Sequence, residues 1–226
     1  MIKKAKDEFI FQEGRDGKLQ FVGDFDGLYA SDIDPWGQSA KGDSNYKKYY
    51  EFSRARLARA IKSIENKKAV LEIGCGMGFG LNFLANTLSG SSLSGVDISA
   101  RAIEQARKNF PKHNFMVGDI GSSKFVLEQK YDLVIFNQIL WYILENLETA
   151  VYSAHKLLRS GGHFLICNGY LKEQRYGVDI VDGYNGVQKF METHYGELFS
   201  LTDSQFDNSG DLVLNDGLLA YQKLIP

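Results

Sequence analysis

The chain has 226 residues, 44% of them hydrophobic and 24% charged, with a formal net charge of −2. That length fits one substantial domain or a domain with a small appendage, and the composition is that of an ordinary globular protein. The charge balance gives no electrostatic ground for a nucleic-acid or membrane-surface partner, no stretch approaches the roughly 18 apolar residues of a membrane span, and the two distant cysteines, Cys75 and Cys167, form neither a disulfide framework nor a zinc motif.

The opening Met1-Ile2-Lys3-Lys4-Ala5-Lys6-Asp7-Glu8 is basic but lacks the apolar centre of a signal peptide, so a cytoplasmic location is the expectation. Residues 9–12 and 18–22 flank Gly14-Arg15-Asp16-Gly17, whose Asp-Gly step predicts a β-hairpin. A hairpin alone is marginal in water, so this one is expected to pack on the main domain. Residues 23–37 are rich in Gly and Asp, and no regular element is expected there. Across 46–64, Tyr49, Phe52, Leu57, Ile61 and Ile64 approximate one helical face.

From residue 69 strand and helix alternate. Strands are predicted over 69–73, 92–97, 113–117, 131–136 and 163–167. Helices are predicted over 79–88, 100–109 with Ser99 as N-cap, a short one over 124–129, and 146–159 before the stop Ser160-Gly161-Gly162. The largely apolar run 131–136 is of the kind buried on both faces of a parallel sheet. A helix over 187–195 and two strands over 198–206 and 212–224 end the chain. The expected fold is α/β, with a doubly wound sheet.

Chemistry concentrates at the carboxyl ends of the first strands. Val70-Leu71-Glu72-Ile73-Gly74-Cys75-Gly76-Met77-Gly78 carries glycine at alternate positions, which lets backbone N–H groups approach a ligand. A dinucleotide fingerprint needs a third glycine at position 79, which is Phe79, so a nicotinamide-dependent oxidoreductase is disfavoured. Glu72 offers instead an acceptor for an ammonium group. Asp97, about 20 residues after the glycines, is placed to accept ribose hydroxyls. Asp119 is placed to accept from an adenine amino group, with Ile120 covering the ring. Each has a plain alternative as a turn or capping residue; their occurrence at the ends of three successive strands is the specific signal.

Residues 69–167 resemble the class I S-adenosylmethionine-dependent methyltransferases, through residues 70–78, Gly95-Val96-Asp97-Ile98-Ser99, Val117-Gly118-Asp119-Ile120, the strand ending at Asn137, and Leu157-Leu158-Arg159-Ser160-Gly161-Gly162-His163-Phe164. The resemblance implies a Rossmann-like sheet of seven mostly parallel strands, and S-adenosylmethionine as cofactor. It implies that Gly74, Gly76 and Gly78, with Cys75 between them, line the methionine part, Asp97 with Ile98 the ribose, and Asp119 with Ile120 the adenine, while Asn137 touches the amino-acid end. Asp32-Ile33-Asp34-Pro35-Trp36, Tyr49-Tyr50-Glu51-Phe52-Ser53-Arg54 and Gln138-Ile139-Leu140-Trp141-Tyr142-Ile143-Leu144 are similar, in short patches, to the nodulation protein S group of amino-sugar N-methyltransferases. Trp36 and Tyr46 are accordingly expected in an aromatic lid over the cofactor and Arg54 on its carboxylate; the alternative is a packed helix with a solvated Arg54. Residues 1–66 are then a hairpin and lid segment and 67–226 the cofactor-binding domain.

The implied reaction is in-line methyl transfer to a small-molecule acceptor, with a sugar or glycoconjugate as the finer expectation; neither nucleic acid nor membrane is expected as a partner. The acceptor wall is assigned to Gln138, Trp141, Tyr142, Asn168 and Tyr170, whose aromatic members suit stacking on a sugar or a small apolar ring. With prolines at 35, 111 and 226 alone, no Asn/Asp-Pro-Pro-aromatic motif exists, and Asn137-Gln138 supplies no carboxylate for a metal. The four histidines are dispersed, so no catalytic base is assigned. A catalytically silent binding or regulatory subunit on the same fold is the alternative, disfavoured by the intact glycines, Asp97 and Asp119.

Overall fold

The computed structural model describes residues 6–39 and 44–225; the basic start 1–5, residues 40–43 and Pro226 lie outside the described residues. Strands β3 (Ala69–Ile73), β4 (Ser92–Asp97), β5 (Asn114–Val117), β6 (Tyr131–Asn137) and β7 (Leu158–Tyr170) pair in parallel, in the order β5-β4-β3-β6-β7. The final hairpin of β8 (Phe199–Asp207) and β9 (Asn215–Lys223) inserts β9 antiparallel beside β7 and leaves β8 at the edge, completing seven strands. Strand order reverses beside β3, so the crevice beyond its carboxyl end is where such sheets hold ligands.

Alternation along the strands divides the core between two faces. On one face Leu71, Val134, Phe136, Phe164 and Leu219 pack with α6 (Leu147–Leu157) and α7 (Gly183–Tyr195). On the other, Val70, Leu133, Ile135 and Leu165 pack with α3 (Ser44–Lys62), α4 (Phe79–Leu84) and α5 (Ala100–Asn109). Ser99 caps α5 by accepting from Ala102 N at 3.1 Å. Among the described residues no helix is long and apolar enough to cross a membrane.

The N-terminal segment departs from expectation. Phe9 and Ile10 belong to a short helix, α1 (Lys6–Ile10), where one turn buries both against Leu28. The hairpin is therefore shorter, β1 (Phe11–Glu13) on β2 (Leu19–Phe21), with Phe11 opposite Phe21. Residues 25–31, expected to be irregular, form α2 (Phe25–Ser31): Asp24 accepts from Gly27 N at 2.9 Å and caps it. Asp26 Oδ1 in turn accepts from Ser99 Oγ (2.6 Å) and Arg101 N (3.2 Å), fastening α2 to the amino end of α5, where a helix favours negative charge. Residues 124–129 are not helical; Phe125 instead lies against Gly118, where a Cβ would come within 2.6 Å of its ring.

Helix α3 is joined to the sheet through polar groups. Arg56 Nε lies 3.3 Å from Asp216 Oδ1 on β9, and its Nη1 donates to the Asp216 carbonyl at 2.8 Å. Tyr49 donates toward Asp216 Oδ2 at 3.1 Å, and the carboxylate is fully buried. Removing one member of such a pair strands a buried charge. Asp216→Ala is expected to lower stability by about 3–5 kcal/mol, read as a fall in the urea midpoint; a loss below about 1 kcal/mol would show that water reaches Arg56.

Candidate functional site

The glycine loop after β3 is held from both sides. Gly74 N and Cys75 N donate to Val96 O at 2.7 and 3.0 Å, folding the loop back on β4. Gly74 and Gly76 have φ of +73° and +51°; a Cβ at Gly74 would overlap Ile139 Cγ2, and one at Gly76 would lie 2.8 Å from the Tyr29 hydroxyl. Both positions thus need glycine for conformation and for space. Asp97 receives Gly76 N–H on one oxygen (2.8 Å) and Ser99 N–H on the other (2.9 Å). Burial nevertheless pushes its carboxyl up to about 6.

A cavity of about 740 Å³ opens above this loop, beneath α1, α2 and the β1–β2 hairpin. Gly74, Gly76, Asp97 and Ile98 line one end, with Asp119 and Ile120 beside them and Asn137 at the end of β6. Trp36 and Tyr46 line it from the N-terminal segment. Gln138, Trp141, Tyr142 and Asn168 line it as well. No histidine lines the cavity among the described residues.

A side pocket with room for about one water adjoins it, lined by Arg54, Glu72, Cys75 and Asn137 among others. Glu72 Oε1 accepts from Asn137 Nδ2 at 2.7 Å, whereas buried Oε2 has no partner. Burial pushes this carboxyl up to about 7. The Arg54 guanidinium lies over the Tyr50 ring, 5.3 Å from its centroid, and no carboxylate is within ion-pair distance of it among the described residues. An unpartnered acceptor and an unpaired cation thus share one pocket.

Two expected positions fall elsewhere. Tyr170 does not line the cavity; its ring is buried against Trp141, Tyr184 and Phe206 because its side of β7 faces the C-terminal hairpin and α7. Gly78 faces Phe110 and Phe115 and serves as the left-handed N-cap of α4, away from the cavity. Conversely, Tyr29, Ile139 and Asn146 line the cavity without having been expected there. Tyr29 accepts from Trp36 Nε1 at 3.0 Å, and its position depends on α2. Once the Asp24 cap is recognised, helical spacing puts Phe25 and Tyr29 on one face, a usable sequence signal.

Gln138 is the one non-glycine residue with positive φ (+62°) among the described residues. Its Oε1 accepts from Gly169 N (2.9 Å) and Tyr49 (3.0 Å), and its Nε2 donates to Ser53 Oγ (3.0 Å). These bonds hold a backbone shape that an L-residue rarely adopts.

A family model described as a methyltransferase domain matches residues 64–192, more than half of the chain. The chain belongs to the methyltransferase-domain family. The match spans the sheet from just before β3 to within α7, and so covers the loops that bear Gly74, Asp97, Asp119 and Asn137. This methyltransferase chain is 32% identical over 111 residues to a malonyl-[acyl-carrier protein] O-methyltransferase of Priestia megaterium, covering 46% of the chain and 39% of that protein. It is 27% identical over 139 residues to a fatty-acid O-methyltransferase of Mycolicibacterium smegmatis, covering 61% and 50%. The chain thus spans about half or less of the length of these curated relatives. In structure it resembles the N-methyltransferase NodS of Bradyrhizobium japonicum WM9 in complex with S-adenosyl-L-homocysteine, with a TM-score of 0.66 and 21% identity, covering 85% and 93% of the two chains. That likeness establishes the Rossmann-like methyltransferase fold.

The raised Glu72 carboxyl makes the stability of the ligand-free domain pH-dependent. The folded state keeps a proton that the unfolded chain, with an ordinary value of 4.5, has already lost. The contribution is present below about pH 4.5 and disappears as pH rises through about 7. Glu72→Gln is expected to flatten part of the fall in Tm between about pH 5 and about pH 8, with Asp97 carrying the remainder. Superimposable pH profiles of variant and parent in thermal melts would show that Glu72 is already ionised at pH 5.

Proposed function

We propose that this chain transfers a methyl group from S-adenosylmethionine to a small-molecule acceptor bound between the carboxyl end of β6 and the N-terminal cap. The observation that carries this reading is the pairing of unpartnered Glu72 Oε2 with unpaired Arg54 in one pocket beside the glycine loop. An α-amino acid held in the adjoining cavity at the mouth of this water-sized pocket is their electrostatic complement: its ammonium fits the carboxylate and its carboxylate the guanidinium. The remaining residues fit the rest of the cofactor. Gly74 and Gly76 line the cavity, Asp97 retains acceptor capacity for two ribose hydroxyls, and Asp119 and Ile120 stand where the adenine is expected.

S-adenosylmethionine supplies a methyl group already activated on a sulfonium; the S–CH3 bond breaks as an acceptor lone pair forms the new bond. What the chain contributes is alignment and exclusion of water. No base is assigned: histidine is absent from the described cavity lining, and burial pushes the Tyr49 and Tyr142 phenols far above their ordinary range. The acceptor atom is therefore one that is nucleophilic near neutral pH, its proton, where it has one, passing to water. A sugar or glycoconjugate that carries such an atom, an amino group above all, is the acceptor class we favour. Trp36 and Trp141 both line the cavity, and Trp141 is fixed by donating Nε1–H to Gly169 O at 2.7 Å. In this reading residues 1–66 act as hairpin and lid, and residues 67–226 hold the cofactor.

Calorimetry tests the cofactor half of the proposal. S-adenosylmethionine and S-adenosylhomocysteine are expected to bind with 1:1 stoichiometry, and Asp97→Ala to weaken both about 100-fold, the value of two lost hydrogen bonds to a charged acceptor. Absence of binding to a protein with an intact cooperative melt rejects the reading. Release of S-adenosylhomocysteine across a panel of amino sugars, neutral sugars and carboxylic acids tests the acceptor class; turnover confined to the acids rejects the sugar.

A further inference from the structure

The cavity is longer than the stretch that the glycine loop, Asp97 and Asp119 occupy. Its far end is built by the β1–β2 hairpin, which has only two strands and no core of its own. Phe11 and Phe21 stand opposite each other in the register, with ring centroids 5.7 Å apart. Both line the cavity, whereas their neighbours Gln12 and Gln20 do not. Further cavity-lining rings pack on them in one cluster: Phe11 is 4.9 Å from Tyr176, Phe21 is 6.4 Å from Tyr142 at an interplanar angle of 21°, and Phe25 meets Tyr142 edge-on at 5.4 Å.

Several polar groups near this end are already engaged, and Lys6 Nζ lies over the Trp36 ring, 4.5 Å from its centroid. The Tyr176 hydroxyl donates to Glu145 at 3.0 Å, Gln174 Nε2 donates to the carbonyls of Tyr176 and Val181 at 2.8 Å, and Arg175 faces Glu13 at 3.6 Å. A ligand group lodged here therefore meets ring faces and edges with few hydrogen-bonding partners to spare. Desolvation favours an apolar group, and rings tilted at several angles favour a planar one, which can meet them face-to-edge or offset-stacked.

Resting on the methyl-transfer reading above, we infer that the hairpin end of the cavity is a separate subsite for an aryl ring carried by the acceptor. The acceptor is then amphipathic: its nucleophilic part lies toward Asn137 and its aryl part packs on the cavity side of the ring cluster formed by the hairpin and Tyr142. The hairpin is thereby part of acceptor selection as well as a cover for the cavity.

Calorimetry on the full chain decides this, with S-adenosylhomocysteine saturating and again without it. Phenyl, cyclohexyl and methyl β-D-glucosides share one sugar and differ only in the group offered to the subsite. The phenyl compound is expected to bind about tenfold more tightly than the methyl compound, with the cyclohexyl compound between them. Phe21→Ala is expected to abolish that preference while S-adenosylhomocysteine affinity stays within about twofold, which also reports that the variant is folded. Phe21→Leu keeps an apolar wall and is expected to favour cyclohexyl over phenyl. The inference is overturned by equal binding of phenyl and methyl glucosides, by cyclohexyl binding as tightly as phenyl to the parent, by a preference that survives Phe21→Ala, or by no detectable binding of any glucoside. Failure of S-adenosylhomocysteine to bind the parent strikes the cofactor reading instead, and the glucoside comparison without it still decides the subsite.

Discussion

The left-handed turn at Gln138 is the constraint on which the site depends. With φ at +62°, three consecutive residues at the end of β6 serve three different neighbours. Asn137 holds the Glu72 carboxylate, Ile139 fills the space that only a glycine at 74 leaves open, and the Gln138 carboxamide turns to Tyr49, Ser53 and Gly169. An extended residue at 138 would break this division of contacts. The strain is held by three hydrogen bonds in partly buried surroundings, where such bonds are stronger than in water and costly to leave unmade.

Through those bonds the turn connects the cofactor loop to α3. Tyr49 bridges Gln138 and Asp216, and Asp216 is fixed by Arg56 two turns along the same helix. The helix is therefore tied both to the residue just beyond central strand β6, at the edge of the cavity, and to Asp216 on β9. A second tie lies on the other side, where Asp26 of α2 meets Ser99 immediately beyond Asp97. The N-terminal segment is thus anchored beside both carboxylates that the cofactor reading uses, and a shift of the segment is felt at each.

How much of this was legible in the sequence follows from the range of the interactions. The parallel sheet could be read because each central strand carries its own apolar run, and the Ser99 cap because the signal lies within four residues. Gly74, Asp97 and Asp119 could be read because strand ends place them without help. The lid could not. Helix α2 is specified by the single cap Asp24 against a background of glycine and aspartate that favours turns. Phe9 and Ile10 follow a hairpin-like pattern, yet a contact with Leu28, 18 or more residues away, folds them into α1. Tyr170 sits at the correct strand end on the wrong side of the chain, since one step along a strand reverses the face.

The buried carboxylates show what separates a site from a structural network. Asp216, Asp97 and Glu72 are all buried, and burial alone pushes each carboxyl upward. Asp216 is answered within the fold by Arg56 and Tyr49. Asp97 is answered on both oxygens by backbone N–H groups, with capacity left over. Glu72 is answered on one oxygen only, although Arg54, which could pair with it, lines the same pocket. A fold selected for stability alone would close that gap or replace the glutamate with an apolar residue of similar volume. Leaving an acceptor and a cation apart in one water-sized pocket lowers stability, and that cost is what distinguishes this pocket from the closed Asp216 network.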